Sequence, residues 1–275
     1  MKLKKLNLKK LIIFIVIVAV IAVEFFWLAK KFDFFAPKSQ DQAEAQKPAP
    51  DSSTWSSGTL PGTPEPNSAG EPSPSEPAQS TPKSILQTVP FFSQAPFGEW
   101  EDPIFQNACE EASIIMAMHW VNKTKVTKEQ AKQEILVLTE FEDRTYGPAS
   151  DRAAEDAIKI FKDYYNYDNV FERSGISTKD IKAEILKGNL VIVPLDGRIL
   201  KNPFYTPPGP EHHMLVVIGY DGKTNEFITN DVGTRHGEKY RYSESRFQAS
   251  IHDYPTGNDL PSIPGQTAMI VVMPK

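Results

Sequence analysis

The chain of 275 residues holds a single cysteine, Cys109, and five histidines, and most of the chemistry it can offer follows from where these stand. A cysteine attacks as its thiolate, which a helix N-terminus or a nearby imidazolium favours. Cys109 opens the segment CEEASIIMAMHW. There Ala108, Ala112, Ile115, Met116 and His119 recur at helical spacing, so the thiol falls at the start of a predicted helix. The chemistry open to such a thiol is acyl transfer, which needs a histidine held in one tautomer by an acid. His119 lies further along the same helix, about 15 Å away by rise, and cannot reach Cys109. His236 in GTRHGE and His252 fall in polar turns. His212 and His213 open the strand-like run HMLVVIGY.

That run reaches Asp221-Gly222 and is followed by NEFITND, which reads as a hairpin. With the two strands folding about Gly222, His213 and Asp231 are equally spaced from the turn. They are then expected directly opposite each other on one face, with Cβ atoms roughly 4.5 to 5.5 Å apart. His212, one residue earlier, points to the other face. Spacing therefore favours His213 with Asp231.

Other readings of these residues stand beside this one. A lone cysteine is also a small buried apolar residue, and Cys, His and Asp in this order occur in many chains. Glu211, His212, His213 and His236 form an alternative metal set, but the chain lacks an H-E-x-x-H helix and any cysteine cluster. No metal and no cofactor is expected. Met116 and Met118 read as core residues, and the acids of the helices as solvated faces.

Several elements must position these residues. Thr88 to Phe92 reads as a strand or an extended lead-in. VTKEQAKQEILVLTEF opens with a capping box, Thr127 with Gln130. SDRAAEDAIKIFKDYY and STKDIKAEILKG are two more helices, with Ser150 and Ser177 as caps and Gly188 ending the second. From residue 189 the pattern changes to short β-branched runs: NLVIVPL, HMLVVIGY, NEFITND, EKYRYS and TAMIVVM. Helices followed by hairpin-joined strands predict an α+β domain, an antiparallel sheet packed on helices.

The first part of the chain is of another kind. Residues 1–10 carry five lysines and no acid, and from Leu11 to Val23 every residue is apolar. Leu11 to Leu28 as a helix spans about 27 Å, close to the ~30 Å hydrocarbon core of a bilayer. A transmembrane anchor over Leu11 to Ala29 is expected, with residues 1–10 as a cytoplasmic tail and the remainder exported. A cleaved signal peptide fits less well, because the apolar run passes straight through the place where small residues should mark the cut. Residues 30–83 form a linker, with ten prolines between 37 and 83 and almost nothing to bury, so disorder is expected there. The domain proper is expected over 84–275. A net charge of -5 without a basic stripe argues against a nucleic-acid partner.

The motifs VPFFSQAPFGEW, QNACEEASIIMAM, HHMLVVIGYD and ITNDVG together resemble the bacteriocin-processing, double-glycine-leader cysteine peptidases, and more closely their stand-alone C39-like relatives. The resemblance runs from about residue 88 to 275 and implies a papain-like fold. It implies Cys109 as nucleophile, His213 as base, Asp231 as its orienter, and an upstream glutamine as oxyanion donor. Gln94, within VPFFSQ, is preferred for that last role, with Gln106 as the alternative. Glu110 stands where the family has glycine, Val232 where proline often follows the acid, and a helical insert of about 40 residues separates the first helix from the strands. The reading implied is a membrane-anchored extracytoplasmic cysteine peptidase acting on peptide or protein. A transpeptidase or amidase using the same site, and a surface module that binds peptide or wall material without turnover, are the alternatives.

Overall fold

A computed structural model describes residues 84–258 and 260–275. The expected tail 1–10, anchor 11–29 and linker 30–83 lie outside these residues. Among the described residues no helix is long and apolar enough to cross a membrane.

The elements run in the order β1 (Ile85–Leu86), α1 (Pro103–Gln106), α2 (Cys109–Asn122), α3 (Lys128–Tyr146), α4 (Ala154–Asp163), β2 (Val170–Ser174), α5 (Thr178–Leu186), β3 (Leu190–Leu195), α6 (Gly197–Leu200), β4 (His213–Asp221), β5 (Glu226–Asn230), β6 (Tyr240–Ser243), α7 (Glu244–Ser250) and β7 (Ala268–Val272). The strands form one antiparallel sheet in the order β2-β7-β3-β4-β5-β6. β1 pairs with β4 at Gly219 and Tyr220, beyond the point where β3 stops. A Cβ on Gly219 would stand 2.4 Å from the Ile85 carbonyl oxygen, so only glycine lets β1 come this close.

The architecture is α+β, and helices cover both faces of the sheet. Ile192, Met214, Val216 and Ile270 pack with α2, α3 and α4. The alternate residues Val191, Val193, Leu215, Val217 and Val271 pack with α5 and α7. Strands buried on both faces read as continuous apolar runs rather than as alternation, which is what NLVIVPL and TAMIVVM are. Helix α2 is buried around nearly its whole girth from Cys109 to Met118, as a helix without a polar face must be.

Thr127 and Gln130 make the capping box of α3, and Ser177 with Asp180 makes that of α5, which is followed by Gly188 at φ 91°. Ser150 is not a cap. Its amide and hydroxyl bond the Asn258 side chain at 2.8 and 3.1 Å, and α4 starts at Ala154. The open amides there are taken from far along the chain: Thr256 Oγ1 accepts from Ala153 N and Asp253 Oδ1 from Ala154 N. Residues 88–92 belong to no strand, and Asn230 Nδ2 donates to the carbonyls of Val89 and Pro90. Strand β2 and helix α7 have no counterpart among the sequence expectations. VFERS is too polar and short to read as a strand until β7 pairs with it.

Candidate active site

Cys109 is the first residue of α2 and is 5% exposed. It borders a groove of about 1060 Å³ that His213, Gln94, Gln106 and His212 also line. Helix α2 packs against β4, so the start of the helix comes to the end of the sheet where β4 begins and β5 ends.

His213 Nε2 lies 2.9 Å from Asp231 Oδ1, and both side chains are buried. The pair forms by a route other than the expected one. The turn between β4 and β5 holds four residues, Gly222 to Asn225, so its centre lies between Lys223 and Thr224 and not at Gly222. With Gly219 opposite Ile228 that register, continued, would set Asp231 three positions from the partner of His213, on the opposite face. The strands then shift by one residue between Val217 and Gly219, so that Val216 faces Asn230. Continued from there, the position opposite His213 is Gly233, and Asp231 lies diagonally from His213 on the same face. A bulge at Ile218 thus restores the face on which the pair can meet. Gly233 fits because a Cβ there would approach His213 Cε1 to 2.8 Å.

Four donors besides His213 converge on Asp231. Tyr205 and Tyr242 hydroxyls donate to Oδ2 at 2.6 and 2.5 Å, Asn202 Nδ2 donates to it at 3.0 Å, and the Gly233 amide donates to Oδ1 at 3.0 Å. Burial by itself would push the Asp231 carboxyl up, but His213 and the two tyrosine hydroxyls hold it down at about 2. An ionised Asp231 fixes the proton of the imidazole on Nε2 and leaves Nδ1 as the basic nitrogen. Tyr205 also meets the His213 ring edge-on, with ring centres 5.4 Å apart. Tyr205, Tyr242, Asn202 and Gly233 were not legible in the sequence, because they arrive from the loop before β4, from β6 and from the turn after β5.

The thiol is bonded elsewhere. Cys109 Sγ donates to Glu110 Oε2 at 2.9 Å, and no hydrogen bond joins it to His213. Glu110 is 2% exposed and takes two further donors on Oε1, the Tyr254 hydroxyl at 2.8 Å and the Arg152 amide at 3.3 Å. Glu111 and Glu142 are buried too, with Arg152 paired to Glu142. These acids are not solvated faces. The insert α3, which itself carries Glu142, and the segment after it cover the side of α2 that carries Glu110 and Glu111. Burial pushes the Cys109 thiol well above its ordinary value, and the Glu110 carboxyl beside it adds to this. Burial raises Glu110 as well, against the hydrogen bonds from Cys109 and Tyr254. Glu110→Gln removes the neighbouring charge and is expected to move the pH midpoint of iodoacetamide alkylation of Cys109 downward, because the thiolate is the reacting form. An unmoved midpoint would show that Glu110 does not control the thiol.

Gln94 and Gln106 both border the groove. Gln94 is buried, its amide bonds the Val232 carbonyl, and its Nε2 donates to the carbonyls of Phe105 and Gln106 at 3.0 and 2.8 Å. An oxyanion would have to draw one of these hydrogens to itself. Gln106 is exposed at the end of α1.

The alternative metal set is not gathered. Glu211 pairs with Arg198, His236 stacks on Phe204, and His213 belongs to Asp231. His212 Nδ1 pairs with Asp151 at 3.0 Å and its ring stacks on Tyr254, centres 4.6 Å apart. Among the described residues no group of three or more His, Cys, Asp and Glu could hold a metal ion.

The domain is α+β, with a helix-borne cysteine and a histidine at the start of β4 bordering one groove and Asp231 buried behind that histidine. The chain belongs to the Peptidase_C39 like family, which it matches over residues 86–256, more than half its length. Among solved structures it is similar to the crystal structure of a protein from Bacillus anthracis described as a C39-like peptidase, with 14% identity and a TM-score of 0.44, over 70% of this chain and 98% of that one. No curated protein matches the chain.

Proposed function

We propose that the domain is a cysteine peptidase with Cys109 as nucleophile, His213 as general base and acid, and Asp231 as the group that orients His213. The observation that carries this reading is His213, held by the buried Asp231 with its other nitrogen free, bordering the same groove as a thiol at a helix N-terminus. On substrate binding the thiol turns from Glu110 to His213 Nδ1 and gives up its proton there. Sγ then attacks the peptide carbonyl carbon. His213 passes the proton to the leaving amine nitrogen, and the acyl group stays on sulfur as a thioester. Water attacks the thioester, losing a proton to His213, and the carboxylic acid leaves as the proton returns to Sγ. A helix N-terminus and a glutamine amide favour the oxyanion of each addition.

Gln94 is the preferred oxyanion donor and Gln106 the alternative. Gln94→Ala is expected to lower kcat by about 10²- to 10³-fold with KM little changed, the range for one lost donor. Near-normal turnover in that variant together with loss in Gln106→Ala would reverse the choice. The reading as a whole is tested by hydrolysis of a quenched-fluorescent peptide pool, and a chain that turns over no peptide would end it. The bond from the thiol to Glu110 favours one alternative, a peptide-binding module without turnover, which the same assay separates from a peptidase.

The peptidase works outside the cytoplasm, held by Leu11 to Ala29 on the tether 30–83. The five lysines before Leu11 and the length of the apolar run support this. Protease added to intact cells is expected to release a soluble fragment cut between residues 37 and 83. A mature N-terminus near Val23 would replace the anchor by a cleaved leader.

A further inference from the structure

The wall of the groove has a charge opposite to that of the chain. The sequence carries 35 acids against 30 lysines and arginines, yet no aspartate or glutamate lines the groove, while Lys128 and Arg235 do. Of the acids next to the lining, Glu101 is exposed without an ion-pair partner among the described residues, Asp102 accepts from the Ile104 amide, and two others are paired with cations. Glu99 is paired with Lys132 at 2.8 Å and Glu211 with Arg198 at 2.7 Å, each outside the lining. Behind the wall, Glu110 takes Cys109, Tyr254 and the Arg152 amide, Asp151 takes His212, and Asp231 takes His213. Lys128, at the start of α3, and Arg235, in the turn between β5 and β6, are both exposed, and neither is paired with a carboxylate among the described residues. The two come from different parts of the fold, so the positive charge is spread along the groove.

Arg235 is also held in place. Its Nε donates to His236 Nε2 at 3.2 Å, which makes that nitrogen an acceptor, and the His236 ring stacks on Phe204, with ring centres 4.5 Å apart. Among the described residues its Nη groups have no hydrogen-bond partner, and they are the part of a guanidinium that takes a carboxylate with parallel hydrogen bonds. Beside these cations the groove presents large apolar side chains to solvent: Phe204 at 50% exposure, and Phe97 at 54% with Trp100 at 37% in the loop that follows Gln94. Exposed aromatics rimming a concave site are places where apolar side chains of a ligand are covered.

We infer that the groove selects peptide segments in which a large apolar residue is flanked by aspartate or glutamate, the apolar side chain lying against Phe97, Trp100 or Phe204 and the carboxylates reaching Arg235 and Lys128. This rests on the peptidase reading of the same site and adds the chemical class of its substrate. Attraction between exposed charges is screened over about 10 Å at 0.1 M salt, so the preference depends on ionic strength.

The test uses two fluorescein-labelled peptides with the same central phenylalanine, one flanked by aspartates and one by lysines, and the full-length Cys109→Ala variant, which cannot consume them. Fluorescence anisotropy at about 0.05 M salt is expected to give at least about tenfold tighter binding of the aspartate peptide, an advantage that shrinks at about 0.5 M. Adding Arg235→Glu and Lys128→Glu is expected to abolish or invert the preference, and Arg235→Gln alone to weaken it. Equal binding, a preference for lysine, no binding of either peptide, or a preference that survives the charge reversals would each overturn the inference. Cleavage of both peptides by the unaltered chain is read separately. Selective binding without cleavage removes the peptidase reading and leaves the groove's preference standing. Cleavage without preference does the opposite.

Discussion

Cys109→Ala is expected to remove peptide hydrolysis, by a factor on the order of 10⁶ in kcat if the three residues act as a unit as in other nucleophile–base–acid sites. Without sulfur no thioester can form, and neither His213 nor the oxyanion donors replace it. The fold should survive. Glu110 loses one of its three donors but keeps the Tyr254 hydroxyl and the Arg152 amide, so its carboxyl is not stranded. The loss of one buried sulfur and its hydrogen bond costs on the order of 1–2 kcal/mol. The measurement is kcat on a fluorogenic peptide beside a thermal melt, with an epoxide probe that should mark Cys109 in the unaltered chain and nothing in the variant. Undiminished turnover in the alanine variant would sink the proposed mechanism.

His213→Ala should be nearly as damaging, while His212→Ala should keep substantial activity. Both histidines border the groove, so proximity does not separate them, but their partners do. His213 is fixed by Asp231 with one nitrogen left basic. His212 is spent on Asp151 and on the face of Tyr254, a contact that helps hold the segment before β4 to the loop near the end of the chain. In His213→Ala the Asp231 carboxylate still has Tyr205, Tyr242, Asn202 and the Gly233 amide as donors, so a folded, inactive protein is expected. In His212→Ala the expected cost falls on the melting temperature more than on kcat/KM. The reverse pattern of activity would assign the base to the wrong histidine.

The low value of Asp231 has a consequence for pH. Its folded-state value of about 2 lies below the ~3.9 of an ordinary aspartate. The group therefore adds stability that is present in full above about pH 4 and is lost as pH falls toward 2. Loss of activity at mild acidity is therefore not expected to come from protonating Asp231.

Local sequence determined a good deal of this protein. The caps at Thr127 and Ser177, the apolar run of α2, the start of that helix at Cys109 and the β-branched runs of β3, β4, β5 and β7 all depend on neighbours a few residues away, and periodicity and side-chain chemistry report such neighbours directly. The motifs around Cys109, His213 and Asp231 were enough to indicate the family. What the tertiary structure alone decided concerns contacts between distant residues. The covering of both sheet faces is one case, since a β-branched run looks the same whether one face is buried or two. The cap of α4 is another, because Ser150 has the right chemistry but Asp253 and Thr256, about a hundred residues away, occupy the open amides. The meeting of His213 with Asp231 turned on a four-residue turn and a one-residue bulge. Either alone would have put the two on opposite faces, and a residue count cannot see a bulge. The bond from Cys109 to Glu110 looks local. It depends, however, on Tyr254, 144 residues further on, and on Arg152, whose amide takes the other oxygen, so that the carboxyl stays buried beside the thiol and not out in water.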